Sequence, residues 1–459
     1  MFKELSRFKK KIALVSEKNE KVTYENLIEK TNLLNNKIKK NSLVLLISNN
    51  SVDSICGYIC FLRNKHTTIL VDQNFQNAYL EKIIKLYCPK YIFSEEKPFL
   101  KKKIYKKVHE ENKFSLYQNK IYKKKFINEK NFLLLSTSGS TNNPKFVRIS
   151  KKGLEDNTKK IIDYLNICSN HTTITTMPMA YSFGLSILNT HLTKGAKIVI
   201  NNNTIFEKVF WNKIANYKID SFGGVPKFYE YLEKLKFENF NLKSLKYITQ
   251  AGGKLQNSQF NYLNKICKKN NIKFYVMYGQ TEASPRMSYL DPKKFILKKG
   301  SIGKPLNDTN FYLIDENKKK INMPFVEGEL VFKGRNVFLG YAKDINDLKK
   351  GDEKNQLLYT GDIAFKDKDN FYYISGRKNR FIKLYGIRFD IDDIENILLK
   401  NKIKVNCYSE NDKLIIKLEN INNEMKIRKI LINYFKIRNE EIVFVKNNIK
   451  KISTNFKQI

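Results

Sequence analysis

The sequence predicts an α/β protein with a large N-terminal domain over residues 1–376 and a small α+β domain over 377–459. Three observations carry this. Apolar runs of strand length alternate with stretches of helical period from Thr23 to Gly279, the pattern of layered parallel sheets. From about residue 300, short strands and polar turns replace that alternation and predict an antiparallel part. After Gly376 comes Arg377-Lys378-Asn379-Arg380, short, polar and poor in helix formers. A helix–strand–helix–strand pattern then fills a length ordinary for a separate domain.

In chain order, Thr23 is placed to cap a helix over 25–40, where Leu27, Ile28, Leu33, Leu34 and Ile38 share a face. A buried parallel strand over 43–47 follows, then a helix over 51–62, a strand over 67–71 and a helix over 77–87. The lysine-rich stretch 97–130 has weak periodicity and reads as a crossing segment. Phe132-Leu133-Leu134-Leu135 and Phe146-Val147-Arg148-Ile149 read as strands on either side of a polar loop. A helix over 154–165 comes next, then a strand over 172–177, a helix over 181–192 and a strand over 196–200. A strand over 219–225 runs into Pro226, which can open a helix over 227–235. Strands over 245–249 and 274–278 end at Ala251-Gly252-Gly253 and at Gly279-Gln280-Thr281-Glu282. In the antiparallel part, 329–333 and 371–375 are strands, and Asp369-Asn370 is a hairpin turn because Asn tolerates left-handed backbone. The small domain reads as helix 392–399, strand 413–418, helix 426–434 and strand 441–445. There is no internal repeat of 20–50 residues.

Composition narrows the function classes. With 459 residues, 42% hydrophobic and 13% aromatic, the chain can bury a core and is not disordered by composition. Lys plus Arg is 85 and Asp plus Glu is 45, a net charge of +40. An excess of that size can mark a nucleic-acid or anionic-membrane partner. Here the lysines are spread along the whole chain among many Asn, Ile, Phe and Tyr residues. That reads as a compositional bias and a solvated surface on an enzyme with anionic substrates. The densest cluster, 101–125, is the candidate patch for any polyanion. Cys56, Cys60, Cys88, Cys168, Cys267 and Cys407 form no C-x-x-C and read as buried free thiols of a reducing cytosol. His66, His109, His171 and His191 have no metal-ligand spacing. Residues 1–11 lack the apolar core of a signal peptide, and no run of about 18 apolar residues exists, so a cytoplasmic protein is expected.

The loop between the two strands carries the first chemical signal. Ser136, Thr137, Ser138, Gly139, Ser140, Thr141 and Asn142 precede Asn143-Pro144-Lys145. Hydroxyls and backbone N–H groups can ring an anion, and Lys145 adds a point charge. The glycine and lysine spacing of a Walker A loop is absent. On composition alone the same loop would serve as a surface hairpin. Later segments decide between the two, because they fit one family in the right order.

Thr137-Ser138-Gly139-Ser140-Thr141-Asn142-Asn143-Pro144-Lys145, Tyr278-Gly279-Gln280-Thr281-Glu282, Tyr359-Thr360-Gly361-Asp362, and Gly376-Arg377 with Ile382-Lys383, Gly386, Arg388 and Glu395 occur in that sequence. Together they resemble the motifs of the adenylate-forming superfamily of acyl-CoA synthetases, nonribosomal peptide adenylation domains and luciferases. The resemblance runs from Val22 to Lys457. Departures are Asn142 and Phe146 where the family has glycines, and Asn379 at the hinge, where most relatives carry Asp or Lys. In the terminal segment Lys451-Ile452-Ser453-Thr454-Asn455-Phe456-Lys457, Lys451, Ser453 and Phe456 replace a proline, a threonine and a glycine. The resemblance implies a large domain of αβ-layered subdomains with mixed sheets and a small β-barrel-like part. It also implies a mobile α+β C-terminal domain that turns about Asn379.

It further implies an AMP-forming acid–thiol ligase that uses ATP and Mg²⁺. A carboxylic acid becomes an acyl-adenylate with release of pyrophosphate, and a thiol then displaces AMP. The thiol is that of CoA or, as the alternative, of a phosphopantetheine carrier protein, for which an acidic surface would suit this basic chain. Thr137, Ser138, Gly139, Ser140, Thr141 and Lys145 would hold phosphate. The Tyr278 ring would stack on adenine beside Gly279, with Ala251, Gly252 and Gly253 on the other face, where a flat base needs close backbone approach. Asp362 and Arg377 would hold the ribose, and Asp362 has two oxygens for its two hydroxyls. Thr281 would bind the α-phosphate, Glu282 the Mg²⁺ and Lys457 the charge that builds during adenylation. Tyr181, Ser182, Phe183 and Gly224 would line the acid's site. Amino-acid-activating relatives carry an Asp where Ser182 stands, so an acid without an α-amino group is expected, since a buried ammonium needs a carboxylate. Two other readings remain at this point. One is a basic nucleic-acid-binding protein, which leaves the order of the motifs unexplained. The other is a degenerate member that binds ATP without turnover.

Overall fold

Thr23 caps the helix Tyr24–Asn35: its hydroxyl accepts from the Asn26 N–H, and the Asn26 side chain accepts from the Thr23 N–H. The helix stops at Asn35, short of the expected end at 40, at an Asn35-Asn36 pair of low helix propensity, although Ile38 beyond it is still buried. The computed structural model describes residues 1–97, 99–136, 144–378, 381–385, 387–403, 405–410, 412–418 and 423–446. Thr137, Ser138, Gly139, Ser140, Thr141, Asn142, Asn379, Gly386, Phe456 and Lys457, singled out above, lie outside the described residues. The chain divides into two compact units, a larger one running to Gly376 and a smaller one beginning at Arg377.

In the larger unit, one eight-stranded sheet has Leu43–Ser48 in its interior, parallel to Thr67–Asp72 on one side and to Tyr91–Glu95 on the other. All six residues of Leu43–Ser48 are buried, which is why this strand reads as an unbroken apolar run. Beyond Thr67–Asp72 come Leu133–Ser136, then antiparallel Phe146–Ile149, then Gly340–Ala342 at the edge. At the other edge, Phe114–Asn119 and Tyr105–Glu111 form a hairpin. This corrects the reading of 97–130 as a crossing segment. The outermost strand buries Tyr105 and exposes Lys106 and Lys107. Charged side chains on an edge strand deter pairing with another sheet, which gives part of the 101–125 cluster a structural account.

A nine-stranded sheet runs, edge to edge, through Lys304–Pro305, Arg286–Leu290, Lys273–Gly279, Tyr247–Gln250, Ser221–Gly224, Thr172–Ile174, Lys197–Val199, Ile12–Val15 and Lys21–Thr23. Its central strands are parallel, and Arg286–Leu290 turns back antiparallel to Lys273–Gly279. The helix Pro226–Lys234 opens on its proline as expected. The helices Lys208–Asn216 and Asn257–Lys269 were not expected. Each turns a narrow apolar stripe inward, Phe210-Trp211-Ile214 and Phe260-Leu263-Ile266-Cys267, from an Asn- and Lys-rich exterior. The antiparallel part is a five-stranded sheet of Lys320–Ile321, Asn310–Ile314, Gly328–Lys333, Leu357–Lys366 and Tyr372–Arg377. Its last turn holds Asn370 at φ +60°, and the Asp367 carboxylate accepts from the N–H groups of Asp369 and Phe371.

The smaller unit pairs Phe381–Leu384 with Ile387–Asp390 and follows with the helix Ile391–Lys400. A three-stranded sheet holds Lys413–Leu418 between antiparallel Asn406–Glu410 and parallel Ile442–Lys446, and the helix Glu424–Phe435 completes the unit. Ile394, Leu398, Leu414, Ile416, Ile427 and Leu431 form its core. Truncating any of them to Ala would cost about 2–5 kcal/mol, on the scale of other buried aliphatic residues. All six cysteines are free. Cys56, Cys60, Cys267 and Cys407 are buried, but Cys168 is exposed and Cys88 half-buried, unlike the expectation. Among the described residues no helix is long and apolar enough to cross a membrane.

Candidate functional site

One segment of the larger unit, the strand Lys273–Gly279 and the turn Thr281–Ala283, supplies most of the site. At its strand end the Tyr278 hydroxyl donates to Oδ2 of Asp362. Gln280 Nε2 donates to the same oxygen at 3.1 Å and to the Thr360 carbonyl at 3.0 Å. The Asp362 N–H donates to Thr360 Oγ1 at 3.1 Å, and the Thr360 hydroxyl donates to the Leu330 carbonyl at 2.7 Å. Asp362 is thereby fixed while wholly buried. Gln280 filled a variable motif position and had no expected role, and the structure makes it a second donor to Asp362. Tyr278 is half-buried, with its ring edge-on to Phe311. Gly279 is required by close approach: a Cβ there would strike the Pro285 carbonyl, which also accepts from the Gln280 N–H at 2.9 Å.

The turn carries the other chemical groups. Thr281 Oγ1 lies 3.1 Å from Ser182 Oγ, so the first residue of the helix Ser182–Thr193 meets the expected α-phosphate threonine. Glu282 is 9% exposed, its carboxylate accepts from the Tyr341 hydroxyl at 2.9 Å, and its carbonyl accepts from the Phe338 N–H at 2.8 Å. Lys145 Nζ stands 3.6 Å from the centroid of the same Tyr341 ring. Strand register explains the meeting. Tyr341 is opposite Val147, and Lys145 lies two residues before Val147, hence diagonal to Tyr341 on one face. Tyr341 therefore connects Lys145 with Glu282. Sequence reasoning did not find it.

Arg148, on the opposite face of the same strand, ties that strand to the 339–353 segment. It is wholly buried and donates to the carbonyls of Leu339 at 3.2 Å, Tyr341 at 3.3 Å, Lys350 at 2.7 Å and Gly351 at 3.0 Å, with Glu353 as its ion-pair partner. An arginine inside a four-residue apolar strand was the available signal for it.

Gly252 sits at φ +92°, and a Cβ there would come within 3.2 Å of Tyr181 Oη and 3.3 Å of Val225 Cγ1. Gln250 Nε2 donates to the Gly253 carbonyl at 2.7 Å, while Ala251 is buried. Phe183 is buried and lines a small cavity, as does Gly223. Its neighbour Gly224 packs against the Phe228 ring. Arg377 ends the strand Tyr372–Arg377 and opens the smaller unit. Among the described residues no cluster of three or more His, Cys, Asp or Glu could by itself hold a metal. A single carboxylate such as Glu282 fits a Mg²⁺ whose other ligands are phosphate oxygens and water.

A family model described as "AMP-binding enzyme" matches residues 1–342. An oxalate–CoA ligase of Saccharomyces cerevisiae is 27% identical over 274 residues, covering 59% of this chain and 49% of its own. A D-alanine–D-alanyl carrier protein ligase of Listeria monocytogenes is 27% identical over 296 residues, covering 61% of this chain and 56% of its own. The chain thus spans about half the length of the curated relatives it matches. Among solved structures, a double mutant of the o-succinylbenzoate CoA synthetase of Bacillus subtilis, bound with a product analogue, aligns at TM-score 0.75 and 18% identity. That alignment covers 94% of this chain and 90% of the other. At that identity the likeness speaks for the fold alone.

Proposed function

The chain belongs to the AMP-binding enzyme family, and on that premise we propose that it is an AMP-forming acid–thiol ligase. It activates a carboxylic acid with ATP and passes the acyl group to a thiol, with CoA as the first acceptor. The observation that carries this is the single segment from Tyr278 to Glu282. In five residues it bonds to Asp362, to Ser182 and to the Tyr341–Lys145 pair, a run of groups suited to a ribose, an α-phosphate and a metal-bound pyrophosphate.

The carboxylate oxygen of the acid forms a bond to the α-phosphorus, and the bond to the bridging oxygen of pyrophosphate breaks. Phosphoryl transfer of this kind is catalysed by positioning and charge stabilisation. Asp362, with Tyr278 and Gln280 fixing it, holds the ribose; Arg377 assists. The Tyr278 ring and the 251–253 backbone hold adenine between them. Thr281 donates to the α-phosphate, and the loop hydroxyls of Thr137, Ser138, Ser140 and Thr141 with Lys145 hold the leaving group. Glu282 is the residue that would hold Mg²⁺, which when bound neutralises pyrophosphate. Lys457 supplies the ammonium that offsets charge between the acid and the α-phosphate. Rotation of the smaller unit about Asn379 then exchanges adenylation for thiol transfer. The thiolate attacks the acyl carbon, the acyl–oxygen bond breaks and AMP leaves. Such a reaction draws on cytoplasmic ATP and CoA.

The carrier-protein reading is favoured by one relative that is named for a carrier protein and by the chain's +40 charge, which suits an acidic partner. Acid-dependent exchange of labelled pyrophosphate into ATP tests the proposal. A panel of carboxylic acids should contain at least one that supports exchange. ATP binding with no exchange from any acid would leave a nucleotide-binding protein without turnover.

A further inference from the structure

Arg286 is a buried cation with no carboxylate partner among the described residues. It is 2% exposed, opens the strand Arg286–Leu290 and lines a cavity of about 20 Å³, together with Phe183, Ser186, Thr190, His191 and Thr249. Its guanidinium carbon lies 5.0 Å from the centroid of the Phe183 ring, and its hydrogen-bond partner is the Tyr164 hydroxyl. Tyr164 in turn donates to Met277 Sδ at 2.9 Å. Nε of Arg286 is buried and has no hydrogen-bond partner among the described residues. Among the described residues no carboxylate forms an ion pair with it. Burial pulls its pKa below the ordinary arginine value, yet a guanidinium keeps its charge in a protein interior. His191 adds no second positive charge beside it, because burial holds the imidazole neutral with a pKa lowered to about 4.

A buried charge without a partner is a cost that folding normally avoids. This one is held firmly nonetheless. The Arg286 N–H donates to Asn157 Oδ1 at 3.1 Å, and its carbonyl accepts from Asn157 Nδ2 at 2.7 Å and Asn336 Nδ2 at 3.0 Å. Both asparagines are wholly buried. A buried guanidinium with a spare N–H that lines a small cavity, on a backbone held by two buried asparagines, is suited to meet a carboxylate. Its place relative to the reacting end follows from the strands. Arg286 pairs across the sheet with Gly279, two residues before Thr281, and Phe183 under the guanidinium directly follows Ser182, which meets Thr281. Both ends of the proposed site therefore rest on the same two segments of the chain.

We infer that Arg286 receives a second, remote carboxylate of the acid, so that the substrate class is a short dicarboxylic acid. One carboxylate reacts beside Thr281, and the other seats against Arg286. This rests on the acid-activating reading above.

The test titrates the full chain with straight-chain dicarboxylic acids of increasing length and with the monomethyl ester of each. The ester keeps length and one reactive carboxylate while removing the remote charge. At least one diacid should bind roughly 10²-fold more tightly than its ester, the scale of one charge-assisted hydrogen-bonded contact. R286M should abolish that preference, and R286K should recover part of it. Esters that bind as well as diacids, a preference that survives R286M, or no diacid binding at all would each overturn the inference. Pyrophosphate exchange with the same acids separates the two claims. Diacids that bind through Arg286 without exchange would refute acid activation and leave the receptor standing. Exchange with monoacids alone would do the reverse.

Discussion

Removing the Tyr341 hydroxyl should weaken the proposed Mg²⁺ site at Glu282 while leaving the fold intact. In Tyr341→Phe the ring stays under Lys145 and against Phe338, whose centroid is 4.8 Å away, but the 2.9 Å bond to Glu282 is lost. A hydrogen bond to a charged group is worth about 1.5–3 kcal/mol, and Glu282 is too buried for water to replace it fully. That corresponds to roughly 10- to 150-fold in kcat/KM for pyrophosphate exchange. Losing a partner that orients a metal ligand typically costs about 10–100-fold in metal affinity, so the Mg²⁺ concentration for half-maximal exchange should rise by that order. In Tyr341→Leu the cation–π contact goes as well, for a further loss of about 0.5–2 kcal/mol, read as a weaker KM for ATP. The assay is exchange at varied Mg²⁺ and ATP, with urea midpoints as the folding control. If Tyr341→Phe needed no more Mg²⁺ than the wild type, the role given to Tyr341 would be wrong.

The remaining predictions concern the ribose end, the small unit and the buried histidines. Asp362→Asn would keep one oxygen for Tyr278 and Gln280 but replace the other, proposed to face the ribose, with an amide donor and remove the charge. Exchange should fall by about 10² or more, mostly through ATP binding, and an unchanged KM for ATP would contradict the assignment. Lys457→Ala should slow pyrophosphate release by about 10² or more yet spare thiol transfer from supplied acyl-adenylate, whereas Asn379→Pro should do the opposite. Loss of both half-reactions together in either variant would count against the division of labour. His66 and His191 are buried with pKa values lowered from 6.5 to about 4, so below pH 6.5 the unfolded chain takes up protons that the folded chain refuses. Stability is therefore full above pH 6.5 and declines as pH falls towards 4, by about 1.4 kcal/mol per pH unit for each histidine. Urea midpoints should follow that slope, and His66→Gln should remove one histidine's share; a slope that the variant leaves unaltered would refute it.

The parts of the fold that were legible in the sequence were those where local signals and tertiary packing agree. Leu43–Ser48 is apolar because both of its faces are covered, and Thr23 caps a helix with a partner three residues on. The hairpin of Tyr105–Glu111 and Phe114–Asn119 was hidden because an edge strand can be lysine-rich on its open side. The helix Asn257–Lys269 was hidden because Asn, Gln and Lys dilute its apolar stripe. Tyr278, Thr281, Glu282 and Asp362 stood out through motif order, and the structure brings Tyr278 to Asp362. Tyr341, Arg148 and Arg286 did not, since each acts across a strand pairing that no local pattern announces. Arg148 interrupts an apolar run, a misfit visible in the sequence, whereas that of Arg286 is readable only once burial is known.

The central claim is that the acid's own carboxylate becomes joined to the α-phosphorus. The direct measurement uses an acid labelled with oxygen-18 in the reacting carboxylate, with ATP and CoA, and mass analysis of the nucleotide product. The account predicts AMP that carries one labelled oxygen, because the thiol breaks the acyl–oxygen bond and leaves that oxygen on phosphorus. Unlabelled AMP, or label recovered in inorganic phosphate alongside ADP, would contradict it.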